Sequence, residues 1–178
     1  MSVPSQPSPG PIADYLGEDH ARLDRLLARA VATLPGVDRE TYDAFRAGLL
    51  RHIGIEEKIL IPAIQASRGG EALDLAARLR RDHAAIATLL MPSPTAQILA
   101  TLREIWATHN RLEEEAKGLY AIGDGIPQST ADAQALLEQC RAAPLPKVMP
   151  HSDTETVMTT LHRVLERAGY RLHTAENA

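Results

Sequence analysis

Apolar side chains recur along this chain at steps of three and four, the spacing of helices that bury one face. Four such stretches follow one another without strand-like alternation between them: about 12–34, 39–67, 71–90 and 95–122. Breakers separate them. Pro35-Gly36 stops the first, and Asp38 is placed to cap the second. Pro62 lies inside the second and should bend it or end it early. Gly69-Gly70 makes the next turn, Pro92 and Pro94 break the third stretch, Thr95 can cap the fourth, and Gly123 and Gly125 end it. Short connections between helices of similar length favour antiparallel neighbours. The expected fold is therefore all-α: an antiparallel up-down-up-down four-helix bundle.

Each stripe is interrupted by histidine. The first reads Ile12, Leu16, His20, Leu23, Leu27, Ala30, and the second Phe45, Leu49, His52, Glu56, Ile59, Ala63. The third reads Ala72, Ala76, Leu79, His83, Ile86, Leu90, and the fourth Ile98, Leu102, Ile105, His109, Glu113, Ala116, Tyr120. All four imidazoles should thus face the core. Two stripes add a carboxylate four residues after the histidine, stacked on the same face about 6 Å along the axis. An unpaired carboxylate among Leu and Ile would cost several kcal/mol or take up a proton. Two carboxylates with four imidazoles make sense together if cations sit between them, which is how bundles house metals. The candidate ligands are His20, His52, Glu56, His83, His109 and Glu113, with Glu114 as the alternative to Glu113.

Spacing from the turns puts His20 level with His52, and Glu56 roughly level with His83. The fourth helix fits less well. His83 precedes Met91 by eight residues whereas His109 follows Thr95 by fourteen, an offset of about 9 Å that the connection must absorb. Asp19 and Asp82 point about 100° away from the histidines they precede and should not share their ion. Glu57 reads as a solvated charge, Tyr15 and Tyr120 as packing residues with hydroxyls near the site, and Trp106 as a core residue or a pocket wall.

Outside the four stretches the character changes. Residues 1–11 form a Pro- and Ser-rich arm, residues 12–125 the bundle, and residues 126–178 a helical appendage. In the appendage a short helix is expected over 131–141, then a stiff linker at Pro144, Pro146 and Pro150. Ser152 and Glu155 form a capping box opening a helix to about 168, closed by Gly169. The appendage can lie on the bundle, on a second copy of the chain, or on nothing in solution, and an oligomer built through it is one expectation. His151, His162 and His173 lack a carboxylate at ligand spacing and carry no site.

Composition narrows the chemistry. One Phe and one Trp in 178 residues leave a core of Leu, Ile, Val and Ala. A single cysteine, Cys140, excludes an internal disulfide and any all-cysteine metal site. The net charge is −4 with no long basic run, so neither nucleic acid nor a membrane surface is an expected partner. No apolar run approaches the ~20 residues of a membrane span. The first residues lack the basic and apolar regions of a secretory signal, which makes the cytoplasm the default compartment.

The order His, HxxxE, His, HxxxE on successive helices resembles the signature of hemerythrin-like (HHE) proteins, and the resemblance covers about 12–122. It implies a non-haem centre of two oxo- or hydroxo-bridged irons, with histidines on both and carboxylates bridging. The donor set itself also suits Zn or Mn. Oxygen carriers resemble this chain but bear a fifth histidine through an HxxxH pair on the third helix. The matching positions here are Leu79 and Ala87, so more coordination positions stay open to exogenous ligands. The resemblance therefore implies an accessible centre that binds or senses oxygen, nitric oxide or peroxide, or handles iron. Two other classes are a di-iron peroxidase or oxidase, and a regulatory module with a structural metal. No Glu-x-x-His pair of the ferritin-like oxidases is present.

Overall fold

Helix α1 spans Pro11–Ala30, α2 Arg39–Ile55, α3 Ile61–Ser67, α4 Asp74–Leu89, α5 Ala96–Glu114, α6 Leu119–Asp124, α7 Thr130–Ala142 and α8 Glu155–Ala168; a π-helical turn, Glu56–Leu60, joins α2 to α3. The structure is a computed structural model that describes residues 10–32, 36–127 and 129–174. Among these no strand occurs, and no helix is long and apolar enough to cross a membrane. Most of the expected arm, and Pro35 with the end of the first expected helix, lie outside the described residues.

Local chemistry explains most boundaries. Asp38 accepts from the Thr41 amide, and Thr95 from the Ile98 amide, as N-caps should. The carboxylate of Asp124 caps α1 from a distance, accepting from the amides of Ile12 at 2.8 Å and Ala13 at 3.1 Å. That contact ties the end of α6 to the start of α1. The helix of the appendage begins later than its expected capping box: Thr154, not Ser152, accepts from the Val157 amide. Gly169 closes it at φ 87°, a left-handed conformation that glycine adopts without strain.

Two departures from the expected helices shape the site. The second helix does not end at Pro62. It passes through the π-helical turn, where the Ile61 amide bonds to the Glu56 carbonyl five residues back. One extra residue in that turn rotates everything beyond it by about 100°. Ile59 and Ala63, expected on the buried stripe, are consequently only half-buried, and Leu60, Ile61 and Ile64 take their place. The fourth helix does not run to residue 122. It stops at Glu114, turns through residues 115–118 with Ala116 exposed, and restarts as α6, which buries Leu119 and Tyr120. On the third stripe Ala72 is exposed because α4 begins only at Asp74.

Gly118 makes the second departure sterically feasible. A Cβ there would lie 2.4 Å from the Glu113 carbonyl oxygen and 2.6 Å from that of Leu112. Backbone cannot yield as a side-chain tip does. Gly118→Ala is therefore expected to cost roughly 1–3 kcal/mol. Urea unfolding should show a lower midpoint with an unchanged slope; an unaltered midpoint would show that the turn opens freely.

Two apolar clusters form the core. One includes Leu23, Phe45, Leu49, Ile86, Leu102, Ile105 and Trp106; the other includes Ile12, Leu16, Ile55, Leu60, Leu79 and Leu119. In each of the four long stretches the histidine lies between the two clusters: between Leu16 and Leu23, Leu49 and Ile55, Leu79 and Ile86, and Ile105 and Leu119. A polar layer thus divides the hydrocarbon. The appendage lies on the same body. α7 packs on α1 and the π-helical turn, and α8 packs on α4 with Leu161 and Leu165 buried in the first cluster. Its linker is held by Arg46, which donates to the carbonyls of Leu90 and Met149.

Candidate metal centre

Six side chains from four helical stretches meet in the polar layer: His20 of α1, His52 of α2, Glu56 of the π-helical turn, His83 of α4, and His109 and Glu113 of α5. All are buried, and none exposes more than 3 % of its surface. The expected offset between the third and fourth stretches has vanished. The connection over residues 90–95 absorbs it, and the Nε2 atoms of His83 and His109 lie 3.1 Å apart.

The donor atoms form two groups, each with its atoms within 4.8 Å of one another and each able to hold an ion. One comprises His20, His52, Glu56 and Glu113, the other Glu56, His83, His109 and Glu113. The carboxylates belong to both because each aims one oxygen at each group. Glu56 sets Oε1 3.2 Å from His52 Nε2 and Oε2 3.1 Å from His83 Nε2. Glu113 sets Oε2 3.4 Å from His20 Nε2 and Oε1 3.0 Å from His109 Nε2.

Outer carboxylates orient the imidazoles. Nδ1 of His52 faces Asp19 at 3.0 Å, that of His83 faces Glu57 at 2.7 Å, and that of His20 bonds to Glu114. Nδ1 of His109 faces Asp82 at a longer 3.8 Å. An imidazole that donates from Nδ1 leaves the Nε2 lone pair free, and that is the atom each ring turns inward. Glu57 is thus no solvated charge: it is partly buried and holds both His83 and Arg80. Glu114 lies behind His20, so Glu113, not Glu114, faces the interior. Asp19 and Asp82 stay off the inner face; Asp19 supports His52 of the neighbouring stretch, whereas Asp82 only faces His109 from 3.8 Å. The appendage reaches this outer layer through Tyr170, whose hydroxyl donates to Asp82 at 3.1 Å. Trp106 walls one side, its ring edge-on to His20 with centroids 4.8 Å apart and its Nε1 donating to Asp24.

Tyr120 departs most from expectation. Its hydroxyl lies inside the first group, bonded to Glu56 Oε1 at 2.7 Å and within 3.1 Å of His20 Nε2, His52 Nε2 and Glu113 Oε2. It entered the sequence stripe as a helical position. Only the reversal at residues 115–118 turns it back onto the site.

Electrostatics fit this donor set to cations. Glu56 Oε2 and Glu113 Oε1 are fully buried without a hydrogen-bond partner, an arrangement too costly to leave uncompensated. Without metal, protons supply part of the compensation. Burial disfavours a charged His52, but Glu56, Asp19 and Glu113 outweigh it and raise its pKa to about 10. Burial likewise opposes charge on His83, yet the neighbouring Glu113, Glu56 and Glu57 carboxylates lift it to about 11. His109 is raised in the same way by Glu113 against its burial. Burial and the nearby Glu113 push Glu56 upward, but His52 and His83 prevail and bring it to about 2. A cation at the Nε2 atoms would do what these protons do with more charge.

The remaining histidines stand apart from the centre. His162 is exposed and bonds to the Met158 carbonyl; His151 bonds to the Pro92 carbonyl and stacks on Tyr42; His173 pairs with Glu104 on the surface.

No curated protein and no solved structure matched the chain. The family described as the hemerythrin HHE cation binding domain matches residues 12–116, a span that contains all six inward-facing ligand candidates and ends before Tyr120. The chain belongs to that hemerythrin family, whose buried His and Glu clusters make it a candidate metal-binding protein.

Proposed function

We propose that this protein holds two metal ions, iron in its working state with Zn or Mn as substitutes, and that the pair forms an accessible centre for oxygen, nitric oxide or peroxide. In this reading His20 and His52 serve one ion and His83 and His109 the other, while Glu56 and Glu113 bridge them. One observation carries it: the buried interior presents four imidazole Nε2 atoms and four carboxylate oxygens, sorted into two groups that share the same two carboxylates. Iron rather than another metal rests on the family. Bound iron would supply the capacity to bind and reduce small oxygen- and nitrogen-containing ligands.

The chain's own residues do the rest. Asp19, Glu57 and Glu114 hold three imidazoles with Nε2 inward. The apolar clusters and Trp106 keep bulk water out. Four nitrogens and two bridging carboxylates give eight bonds where two six-coordinate ions take twelve, which leaves positions for small ligands. The fold belongs to the same proposal. The cluster order along each stretch alternates, first cluster after the histidine in α1 and α4 and before it in α2 and α5. That alternation supports an antiparallel up-down-up-down bundle over 12–125, with 126–178 as an appendage laid along it.

Metal analysis of protein purified without a histidine tag tests the reading. About two ions per chain are expected. His52→Ala or His109→Ala should lose metal, whereas the exposed His162→Ala should retain it. Equal loss in all three would overturn the ligand assignment.

A further inference from the structure

We infer that Tyr120 is a fifth protein ligand to one of the two ions, the one served by His20 and His52, and that it binds as a phenolate. The inference rests on the two-ion reading and adds a residue that lies beyond the matched family span of 12–116.

The position of the hydroxyl carries it. It is 2.7 Å from Glu56 Oε1, 2.9 Å from His20 Nε2, and 3.1 Å from both His52 Nε2 and Glu113 Oε2. With metal–ligand bonds of about 2.1 Å, neighbouring ligand atoms around one six-coordinate ion lie about 3 Å apart. The phenol oxygen keeps that spacing from all four donor atoms of its group at once. A phenol has one proton to donate, and two carboxylate oxygens, Glu56 Oε1 and Glu113 Oε2, both lie within 3.1 Å of it, so a single donated hydrogen bond does not account for both. The supporting carboxylates behave differently: Asp19, Glu57 and Glu114 touch the outward Nδ1 atoms, whereas Tyr120 touches only inward atoms.

The other group has no counterpart. Around His83 and His109 the oxygens Glu56 Oε2 and Glu113 Oε1 have no hydrogen-bond partner. The two ions would therefore be held inequivalently. His20, His52, Glu56, Glu113 and the Tyr120 phenolate would hold one; His83, His109 and the same two carboxylates would hold the other and leave more room for an incoming ligand. On binding, the phenolic O–H bond is replaced by an O–metal bond and the proton leaves to solvent. No electron is transferred in that step. The local fold is built for this placement: the turn at residues 115–118 re-aims α6, and Asp124 anchors the far end of α6 to the amides that open α1.

The test is spectroscopic. The full chain, loaded with iron and oxidised to the ferric state, is measured for metal content, visible absorption and resonance Raman scattering. Two irons together with a phenolate-to-iron charge-transfer band and enhanced tyrosinate ring modes are expected. Tyr120→Phe should keep its iron and lose both signals; Tyr15→Phe should keep them. Should the Tyr120→Phe chain fold or load poorly, Zn²⁺ titration of the natural chain decides, since loss of one phenolic proton gives an ultraviolet tyrosinate difference spectrum. Two bound ions with neither signal would overturn the phenolate ligand alone. A chain that takes up no metal would overturn the two-ion reading beneath it.

Discussion

On the proposed two-ion reading, Glu113→Gln is expected to empty both metal positions, whereas His20→Ala should empty one. The difference follows from how each side chain divides its atoms. Glu113 offers one oxygen to each donor group, 3.4 Å from His20 Nε2 and 3.0 Å from His109 Nε2. The amide keeps the shape but has no charge, and its NH2 end donates where a lone pair is needed. One of the two groups then faces a donor, and both lose half of the negative charge that offsets two cations. Glu56→Gln should behave alike, since its oxygens divide the same way. Metal content after dialysis should fall from about two ions per chain to well below one for either glutamine variant. It should fall to about one for His20→Ala, which belongs to a single group. The outer carboxylates set the scale of a weaker effect. Glu114→Gln or Glu57→Gln removes the acceptor behind His20 or His83 and should weaken binding by about 10–100-fold without emptying the site. Competition with a chromophoric chelator reads each affinity. A Glu113→Gln chain that holds both ions at the natural affinity would refute the bridging role. A Glu114→Gln chain that loses more metal than Glu113→Gln would move the ligand by one residue.

The inward-facing six were legible in the sequence because helical periodicity is a local property. A three–four step places His52 with Glu56, and His109 with Glu113, whatever the rest of the chain does. The outer layer was not legible for the same reason. Asp19 supports His52, and Glu57 supports His83, across separate helices, and no local spacing reports which side chains meet across an interface. Glu57 was misread as solvated because its neighbour Glu56 already occupied the buried phase of the stripe. The π-helical turn then shifted that phase, and a one-residue insertion leaves no mark in an otherwise regular apolar pattern. Pro62 signalled irregularity at the right place, as a bend or an early end, but did not reveal the wider turn that precedes it. The sequence left the resting place of the appendage open, and the buried Leu161 and Leu165 put its last helix on α4. Tyr120 was in phase on a continuous fourth helix and therefore looked like packing. The signals against that helix were Gly118 and the charged run Glu113-Glu114-Glu115-Ala116-Lys117, which together mark a turn better than a buried face.

Above neutrality the metal-free protein should lose stability as pH rises, whereas the metal-loaded protein should hold its own. In the metal-free chain the folded pKa values of His52 and His83, about 10 and about 11, stand above the unfolded value of about 6.5. Their stabilising contribution is therefore complete below about pH 6.5 and is lost as pH rises through the folded values. The carboxylates act on the other flank. Asp19, opposed by its burial but held down by His52 and Arg22, reaches about 2, as does Glu56. Their contribution is present above the unfolded carboxylate range and is lost as pH falls through about 2. The metal-free protein should accordingly be most stable in mildly acidic solution and soften steadily above about pH 7. Metal binding needs the same Nε2 atoms unprotonated, so each ion displaces protons and its affinity rises with pH. With several imidazoles charged at neutrality, the gain should be at least about tenfold per pH unit. Zn²⁺ at about a hundredfold above its Kd would add about 2.7 kcal/mol per site, or roughly 5–10 °C in Tm for a chain of this size. Thermal melts of both forms between about pH 6 and pH 9 check the pair of slopes: the metal-free Tm should fall while the gap to the loaded form widens. A metal-free Tm that climbs across that interval would mean that the buried imidazoles are neutral without metal. A pH-independent metal affinity would mean that no proton is displaced from Nε2, and that the ions bind somewhere other than between these histidines.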